Sequence, residues 1–324
     1  MTVMIELRDR LKAFAGVYEM YLKGAVKAVA AFVIFNCINS ELGFMERINS
    51  VTLVLVLSLA AALLPVDFIS LAAALLVLLH LYALSPGVAI VGACIFIVMY
   101  IIYFRFTPGR GYFAVLTPVA YIWNIPCVMP FVAGYLDKSP TSGVPVMCGT
   151  VIYYFLKGVK DNSVSLSTME ESDSLISKMS DAVSQFTGNK ELLAMAAIMF
   201  VTTVVVWFIR RLKVDYSWYI AFAVGATLEL VGMILGNIRF SLGISFLFMI
   251  LQIVVSAAVS FLVMFFFFNL DYERTERVQF EDDEYYYYVK AVPKVYVARG
   301  QKKVKKFAGE NVTKDDVIRD FEEE

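Results

Sequence analysis

The chain has 324 residues, 60% of them hydrophobic and only 18% charged, and its mean hydropathy is +0.71. Those values exclude an ordinary soluble domain and describe an integral membrane protein with several spans. The formal net charge of -1 decides little, because basic and acidic residues are segregated along the chain, so local charge carries the information.

From the N-terminus, Leu7, Leu11, Phe14, Tyr18 and Tyr21 recur at helical spacing, with Arg8, Arg10 and Lys12 off that stripe. The pattern predicts an amphipathic helix over residues 1–22 lying in the cytoplasmic interface. The stretch lacks the compact apolar core of a cleaved signal peptide, so it is expected to be retained. A membrane bundle over residues 23–158 follows. Its first span runs from about Gly24 to Ile38, and further apolar runs cover Val51 to Leu64, Phe68 to Leu84 and Gly87 to Phe104. Pro65-Val66-Asp67 and Ser85-Pro86-Gly87 read as the turns between them. Cys37, Cys94, Cys127 and Cys148 sit in apolar surroundings without a CxxC pair and read as small core residues. Asn36, Asn39, Asp67 and His80 stand near span ends or turns, where such side chains satisfy local backbone.

Between Gly111 and Leu156 the nearly uncharged chain carries Pro118, Pro126, Pro130, Pro140 and Pro145. A proline inside a helix removes a backbone donor and clashes with the preceding turn, and lipid offers no water in compensation. An uninterrupted span is therefore not expected over 111–158. Charge makes the expectation more specific. Arg8, Arg10, Lys12, Lys23 and Lys27 place the N-terminus in the cytoplasm, and four crossings bring Arg105 and Arg110 back inside. Arg210, Arg211 and Lys213 mark the next inside loop. An even number of crossings must separate the two loops, and Leu192 to Phe208 supplies one, so residues 111–159 must supply an odd number although they have length for two. Two readings satisfy this. In the first, Gly111 to Leu136 is a hairpin turning at Asn124-Ile125-Pro126, followed by a crossing from about Gly143 to Lys157. In the second, Gly111 to Leu136 is one kinked crossing and Gly143 to Leu156 re-enters from outside. Either gives an all-α membrane helix bundle of about eight crossings plus a re-entrant or broken segment.

Residues 159–191 fall outside the cell membrane, where Ser167 and Glu170 form a capping-box pattern and Leu175, Met179, Ala182 and Phe186 an apolar stripe. A short extracytoplasmic amphipathic helix is expected there. The segment 192–270 then holds three spans, Leu192 to Phe208, Ser217 to Gly236 and Ser241 to Asn269. Glu229 is the one acidic residue deep inside a span, which makes it a site hypothesis by default. Gly225, Gly232 and Gly236 share its helix face, so that face must pack against protein. On the next span Ser245, Gln252, Ser256 and Ser260 form a stripe. A tight turn at Asn237 to Phe240 would set Glu229 between Ser245 and Gln252 in depth, with a hydrogen bond across the pair. Glu229, Asn124, Pro126, Gln252 and Ser256 are thus the candidate pathway or packing residues. Asn124 is singled out because its amide can bond carbonyls freed by the break or line a cavity.

No catalytic signature is present: no Walker A loop, GxSxG, HExxH, zinc-ligand cluster or haem-spaced histidine pair. No cofactor and no enzymatic activity are expected, and an ATPase driving this chain would have to be a separate polypeptide. The tail, 271–324, is blocked in charge, wholly acidic at Glu281 to Glu284 and basic from Lys290 to Lys306. Tyr285 to Tyr288, Val289, Val292, Val295 and Val297 favour strands, so a small β hairpin is expected. Tyr285, Tyr286, Lys302, Lys303, Lys305 and Lys306 are the candidate contacts to a cytoplasmic protein partner or to anionic lipid. Nucleic acid is not expected, since the aromatic residues precede the basic run instead of interleaving with it.

Two stretches, FEDDEYYYYVKAVPK from Phe280 to Lys294 and IRRLKVDYSWYIAFAVG from Ile209 to Gly225, together with the proline-rich segment, carry a resemblance. The chain resembles a group of uncharacterised bacterial multi-pass membrane proteins, some of them labelled ABC-transporter permeases. That resemblance implies a bacterial inner membrane, and the broken segment leads to the expectation of a permease-like subunit whose tail docks a cytoplasmic partner. The competing expectation, from the charge-blocked tail, is a scaffold or assembly protein of the cell envelope that does not transport.

Overall fold

The computed structural model describes residues 2–164, 180, 183–184, 188–240, 243–268, 276–282 and 284–292. Among them are eleven α-helices, one short 3-10 turn and a two-stranded sheet. In chain order the helices are α1 (Thr2–Val17), α2 (Glu19–Leu42), α3 (Val51–Leu63), α4 (Asp67–Leu84), α5 (Pro86–Phe106), α6 (Tyr112–Ile122), α7 (Val128–Leu136), α8 (Gly143–Asp161), α9 (Lys190–Arg210), α10 (Ser217–Phe240) and α11 (Phe246–Phe267). Six of these, α2, α4, α5, α9, α10 and α11, are long and apolar enough to cross a membrane. The strands β1 (Glu276–Glu281) and β2 (Tyr286–Ala291) pair antiparallel, with Val278 opposite Val289. The expected extracytoplasmic helix with Ser167, Glu170 and Phe186, and the basic run with Lys302, Lys303, Lys305 and Lys306, lie outside the described residues.

Local sequence explains where the helices begin and end. Ser50, Asn189 and Ser245 each accept a hydrogen bond from the amide three residues on, at 3.3, 3.1 and 3.3 Å, and so satisfy otherwise orphaned donors. Pro86 opens α5, where its missing N–H costs nothing. Gly43 ends α2 in the left-handed conformation that glycine tolerates.

Polar contacts gather at the two ends of the bundle. At one end Lys27 donates to the Leu64 carbonyl at 2.8 Å, and the Tyr103 hydroxyl donates to Asp67 at 2.7 Å. The same Tyr103 oxygen accepts the Gly109 amide at 2.8 Å. At the other end His80 closes the α2–α3 loop. Its Nδ1 accepts the Met45 amide at 3.2 Å, which leaves the proton on Nε2 to donate to Asn39 at 3.0 Å. Lys160 pairs there with Glu41, and Lys157 lies 3.8 Å from Glu191. Asn39 thus bonds nearby backbone at Ile48, as expected, whereas Asp67 and His80 make their contacts across helices. In α1 Leu7, Leu11 and Phe14 are exposed, whereas Arg8 is buried with its guanidinium 5.9 Å from the Phe265 ring. This outward apolar stripe suits a helix in a lipid interface.

Between Gly111 and Leu136 the chain forms a helical hairpin, α6 and α7, whose two ends return to one place. Arg110, just before α6, pairs with Asp137, just after α7, at 2.8 Å. Arg210 at the end of α9 donates to the Tyr135 and Asp137 carbonyls, and so covers the free carbonyl end of α7. The hairpin is wedged among α8, α9 and α11, and the largest buried cluster joins Phe113, Val146, Met199, Met233 and Met249 around it.

Two expectations are corrected. The five prolines do not each break a helix. Pro130 and Pro145 are the third residues of α7 and α8, Pro140 opens the 3-10 turn, and Pro126 stands between α6 and α7. In those places the missing N–H has no helical partner to lose. Only Pro118 is interior to a helix. The turn expected at Asn237 to Phe240 is still helix, because nothing in that run disfavours it; Gly243 beyond it takes φ +68. This moves the register of α11 on α10 by about one turn.

Candidate functional site

The break in the hairpin sets the geometry of the site. Asn124 takes φ +58 after α6, the left-handed position that asparagine tolerates better than most residues. Its amide donates to the Tyr121 carbonyl at 3.0 Å and the next amide, Ile125, to Ala120 at 2.8 Å. That pair of bonds is a Schellman motif, and it satisfies carbonyls that the end of α6 would otherwise leave bare. Pro126 cannot continue the helix, and the Met129 amide then bonds the Pro126 carbonyl at 3.0 Å as α7 begins. The backbone is therefore turned at the tip without loss of its hydrogen bonds.

Side chains from neighbouring helices meet this tip. Gln252 on α11 donates through its amide nitrogen to the Asn124 carbonyl. The Cys127 thiol lies 3.8 Å from the sulfur of Met233 on α10. A cavity of about 120 Å³ opens beside the tip, lined by Asn124, Pro126, Tyr153, Tyr154, Met195 and Gln252, with Lys157 and Glu191 at its rim. This volume holds several waters, and its walls mix aromatic faces with polar groups. Asn124 thus lines the cavity, while its backbone carbonyl, not its amide, makes the contact with Gln252.

Glu229 lies below that floor. It is 0% exposed, and neither carboxyl oxygen has a hydrogen-bond partner. The three glycines expected to share its face do face protein. A Cβ on Gly225 would come within 2.6 Å of Val206 and 2.8 Å of Phe131, and one on Gly232 within 2.9 Å of Ile198. The hydrogen bond expected between Glu229 and the stripe on α11 is not formed. Ser245 caps α11 instead, and Gln252 is turned to the hairpin tip. Asn237 donates to the Ile244 carbonyl at 3.1 Å, and Phe222 meets Phe261 at 6.2 Å between ring centroids. With those two pairs fixed, Glu229 is level with the interval from Gln252 to Ser256, one turn further along than the sequence expectation.

One participant was missed. Val206 opposes Gly225 and Ile198 opposes Gly232, so Thr202, midway between them on the same face of α9, opposes Glu229. Thr202 is fully buried and its hydroxyl has no partner, whereas its neighbour Thr203 donates to the Met199 carbonyl at 2.7 Å. A threonine pair inside an otherwise apolar run was the available signal. Gln252 Oε1 and Ser256 Oγ are also buried without partners. Of the residues proposed from sequence, Asn124, Pro126 and Gln252 are therefore joined at one cavity, and Glu229 and Ser256 lie beneath it among unsatisfied oxygens.

A second, larger groove of about 270 Å³ runs between α2, α4, α5, α6 and α8. Its walls are mostly apolar, with Glu41, Tyr153, Lys157, Lys160 and Asp161 toward one end and Ser70, Tyr100 and Tyr103 toward the other. In the tail, Tyr285 stands in the turn and Tyr286 opens β2, both with most of their surface exposed. Among the described residues no three His, Cys, Asp or Glu side chains converge as a metal centre. No protein family, curated protein or solved structure matches the chain.

Proposed function

We propose that the chain is a permease-like subunit of a bacterial inner membrane, in which α2, α3, α4, α5, α8, α9, α10 and α11 cross the bilayer and the α6–α7 hairpin enters without crossing. Both termini then lie in the cytoplasm. The pairing of Arg110 with Asp137 supports this topology, because it returns both ends of the hairpin to the side marked by Arg210 and Arg211. The likeness to bacterial proteins labelled as ABC-transporter permeases belongs to the same proposal, as does a separate cytoplasmic ATPase.

The observation that carries the reading is the cavity floored by the broken tip. Non-helical backbone at membrane depth is tolerated where it is sheltered by protein or lines an aqueous space, and transporters use such breaks as the centre of their pathway. Asn124, Pro126 and Gln252 form the floor of an outward-facing vestibule with Lys157 and Glu191 at its mouth. The Gln252 contact with Asn124 and the Cys127 contact with Met233 close it below. A small polar or ionic solute fits its size and lining.

Cysteine accessibility tests this directly. With Cys37, Cys94, Cys127 and Cys148 replaced, N124C is expected to react with a membrane-impermeant thiol reagent applied from outside, while a cysteine replacing lipid-facing Leu251 is expected not to react. Absence of reaction at position 124 from either side would remove the pathway reading. The scaffold reading retains one supporting observation, the exposed tyrosines of the tail hairpin. It expects deletion of 271–324 to abolish function with position 124 inert.

A further inference from the structure

A buried carboxyl that serves only to join helices forms hydrogen bonds, since burying one without them is costly. Glu229 forms none. Its surroundings are equally unsatisfied: Thr202 Oγ1 on α9, and Gln252 Oε1 and Ser256 Oγ on α11, are all buried and unpartnered at or next to its level. Each of these residues is at least 98% buried. Native interiors leave few such groups, and several at one depth on three packed helices need a common cause. A proton on Glu229 would account for the carboxyl alone. An ion that accepts only oxygen ligands accounts for all of them.

We propose that Glu229, Thr202, Gln252 and Ser256 form a binding site for a dehydrated monovalent alkali cation, placed beneath the broken tip of the α6–α7 hairpin. Three arguments give the class. The donor set is oxygen alone, hard and without imidazole, which suits an alkali or alkaline-earth ion and not a transition metal. It holds one carboxylate, so its charge balances one positive charge. The remaining groups that bear on Glu229, Tyr121 and Cys127 from the hairpin, bring no second acidic side chain. The half-helix α6 ends beside the same region, with Tyr121 of its last turn near Glu229, so the negative end of the α6 dipole favours a cation there, as in transporters with broken helices. Gln252 gives the site a mechanical link, because the side chain that offers Oε1 to the ion also holds the Asn124 carbonyl through its nitrogen. Cation occupancy then fixes Gln252 and with it the floor of the vestibule. The inference rests on the pathway reading for the ion's route, but binding itself requires no transport.

A hydrophobic carbodiimide, which modifies carboxyl groups within membranes, reads the site in the purified full-length protein. In sodium-free choline buffer Glu229 is expected to be modified, as identified by mass spectrometry of its peptide. Sodium is expected to slow the reaction about tenfold once its concentration is about ten times its Kd, relative to the same concentration of choline. Modification that sodium leaves unchanged would mean a carboxyl that binds only a proton, and would overturn the proposal. So would the lack of modification in sodium-free buffer. Thr202→Ala removes one ligand without touching the carboxyl. It is expected to leave modification intact and raise the sodium needed for half-protection several-fold, with Thr202→Ser restoring it; an unchanged sodium requirement in Thr202→Ala counts against the site as drawn. Sodium protection together with an inert N124C would retain the cation site and reject the vestibule. The converse would retain the vestibule and reject the site.

Discussion

Single residues decide how closely the helices around the hairpin approach. Pro118 lacks the N–H that would bond the Ala114 carbonyl four residues back, and Gly149 of α8 lies against that freed oxygen. A Cβ there would stand 2.6 Å from the Ala114 oxygen and 2.6 Å from Thr117 Cβ. Neither is the flexible end of a long side chain, so the contact cannot yield. G149A is expected to destabilise the protein by about 1–3 kcal/mol, the usual range for overpacking, seen as a lower thermal midpoint in detergent. Asn124 gives a complementary case. Its left-handed backbone favours glycine, so N124G is expected to retain the wild-type midpoint, while N124V is expected to lose about 1–2 kcal/mol because a β-branched residue is strained there. The asparagine was legible as a helix stop, since a proline follows two positions later. The approach of Gly149 to Pro118 was not legible, because sequence does not reveal which freed carbonyl a distant glycine will meet.

At the scale of elements, the hairpin is tied at its base by charge as well as packed along its apolar length. The Asp137 side chain is 2% exposed and that of Arg110 28%, with 2.8 Å between them. Arg210 stacks its guanidinium 5.5 Å over Trp218 while it caps the α7 carbonyls, and Tyr135 donates to the Trp218 carbonyl at 2.9 Å. Removing one member of such a pair leaves the other charge buried, so R110A is expected to cost up to about 3 kcal/mol. The loss should be local. Hydrogen exchange is expected to accelerate in α7 and the 137–142 loop, with α3 and α4 unchanged; uniform acceleration would mean that the hairpin does not open on its own. The six long apolar helices were legible from apolar length, whereas the hairpin was one of two readings that the parity of basic loops left open. The partners of Glu229 were not. A helix pair places its side chains by register, and register depends on where the first helix ends. The run Asn237 to Phe240 reads as a turn from its polar residues, yet each of them is compatible with helix, and the left-handed backbone comes later, at Gly243.

At the scale of the whole molecule, an ion pair links the tail hairpin to the membrane bundle. Lys290 contacts Asp215 at 2.6 Å, but the two side chains are 39% and 46% exposed, and an exposed pair of this kind contributes about 0–1 kcal/mol and weakens in salt. Within the hairpin the turn is better tied. Asp282 accepts the Tyr287 hydroxyl at 2.7 Å and the Glu284 and Tyr285 amides at 3.0 and 2.7 Å. The Tyr287 hydroxyl, then those amides, hold the Asp282 carboxyl below the ordinary aspartate range, and the same bond to Asp282 raises the Tyr287 phenol. The signs follow from linkage. Asp282 contributes stability that is present above the ordinary aspartate pKa and lost as pH falls through its depressed value. Tyr287 contributes stability present below the ordinary tyrosine pKa and lost as pH rises through its raised value. Near neutrality neither changes, so pH does not control the tail but ionic strength does. Raising salt is expected to lengthen a spin-label distance between the 211–216 loop and β2, while amide shifts in the 282–287 turn stay constant. D282N is expected to do the reverse, disturbing the turn without the salt. A two-stranded sheet with Tyr286, Tyr288 and Val289 exposed gains little from burial by itself, so a tail that detaches intact in salt is one that a cytoplasmic protein can cover without first prising it from the bundle.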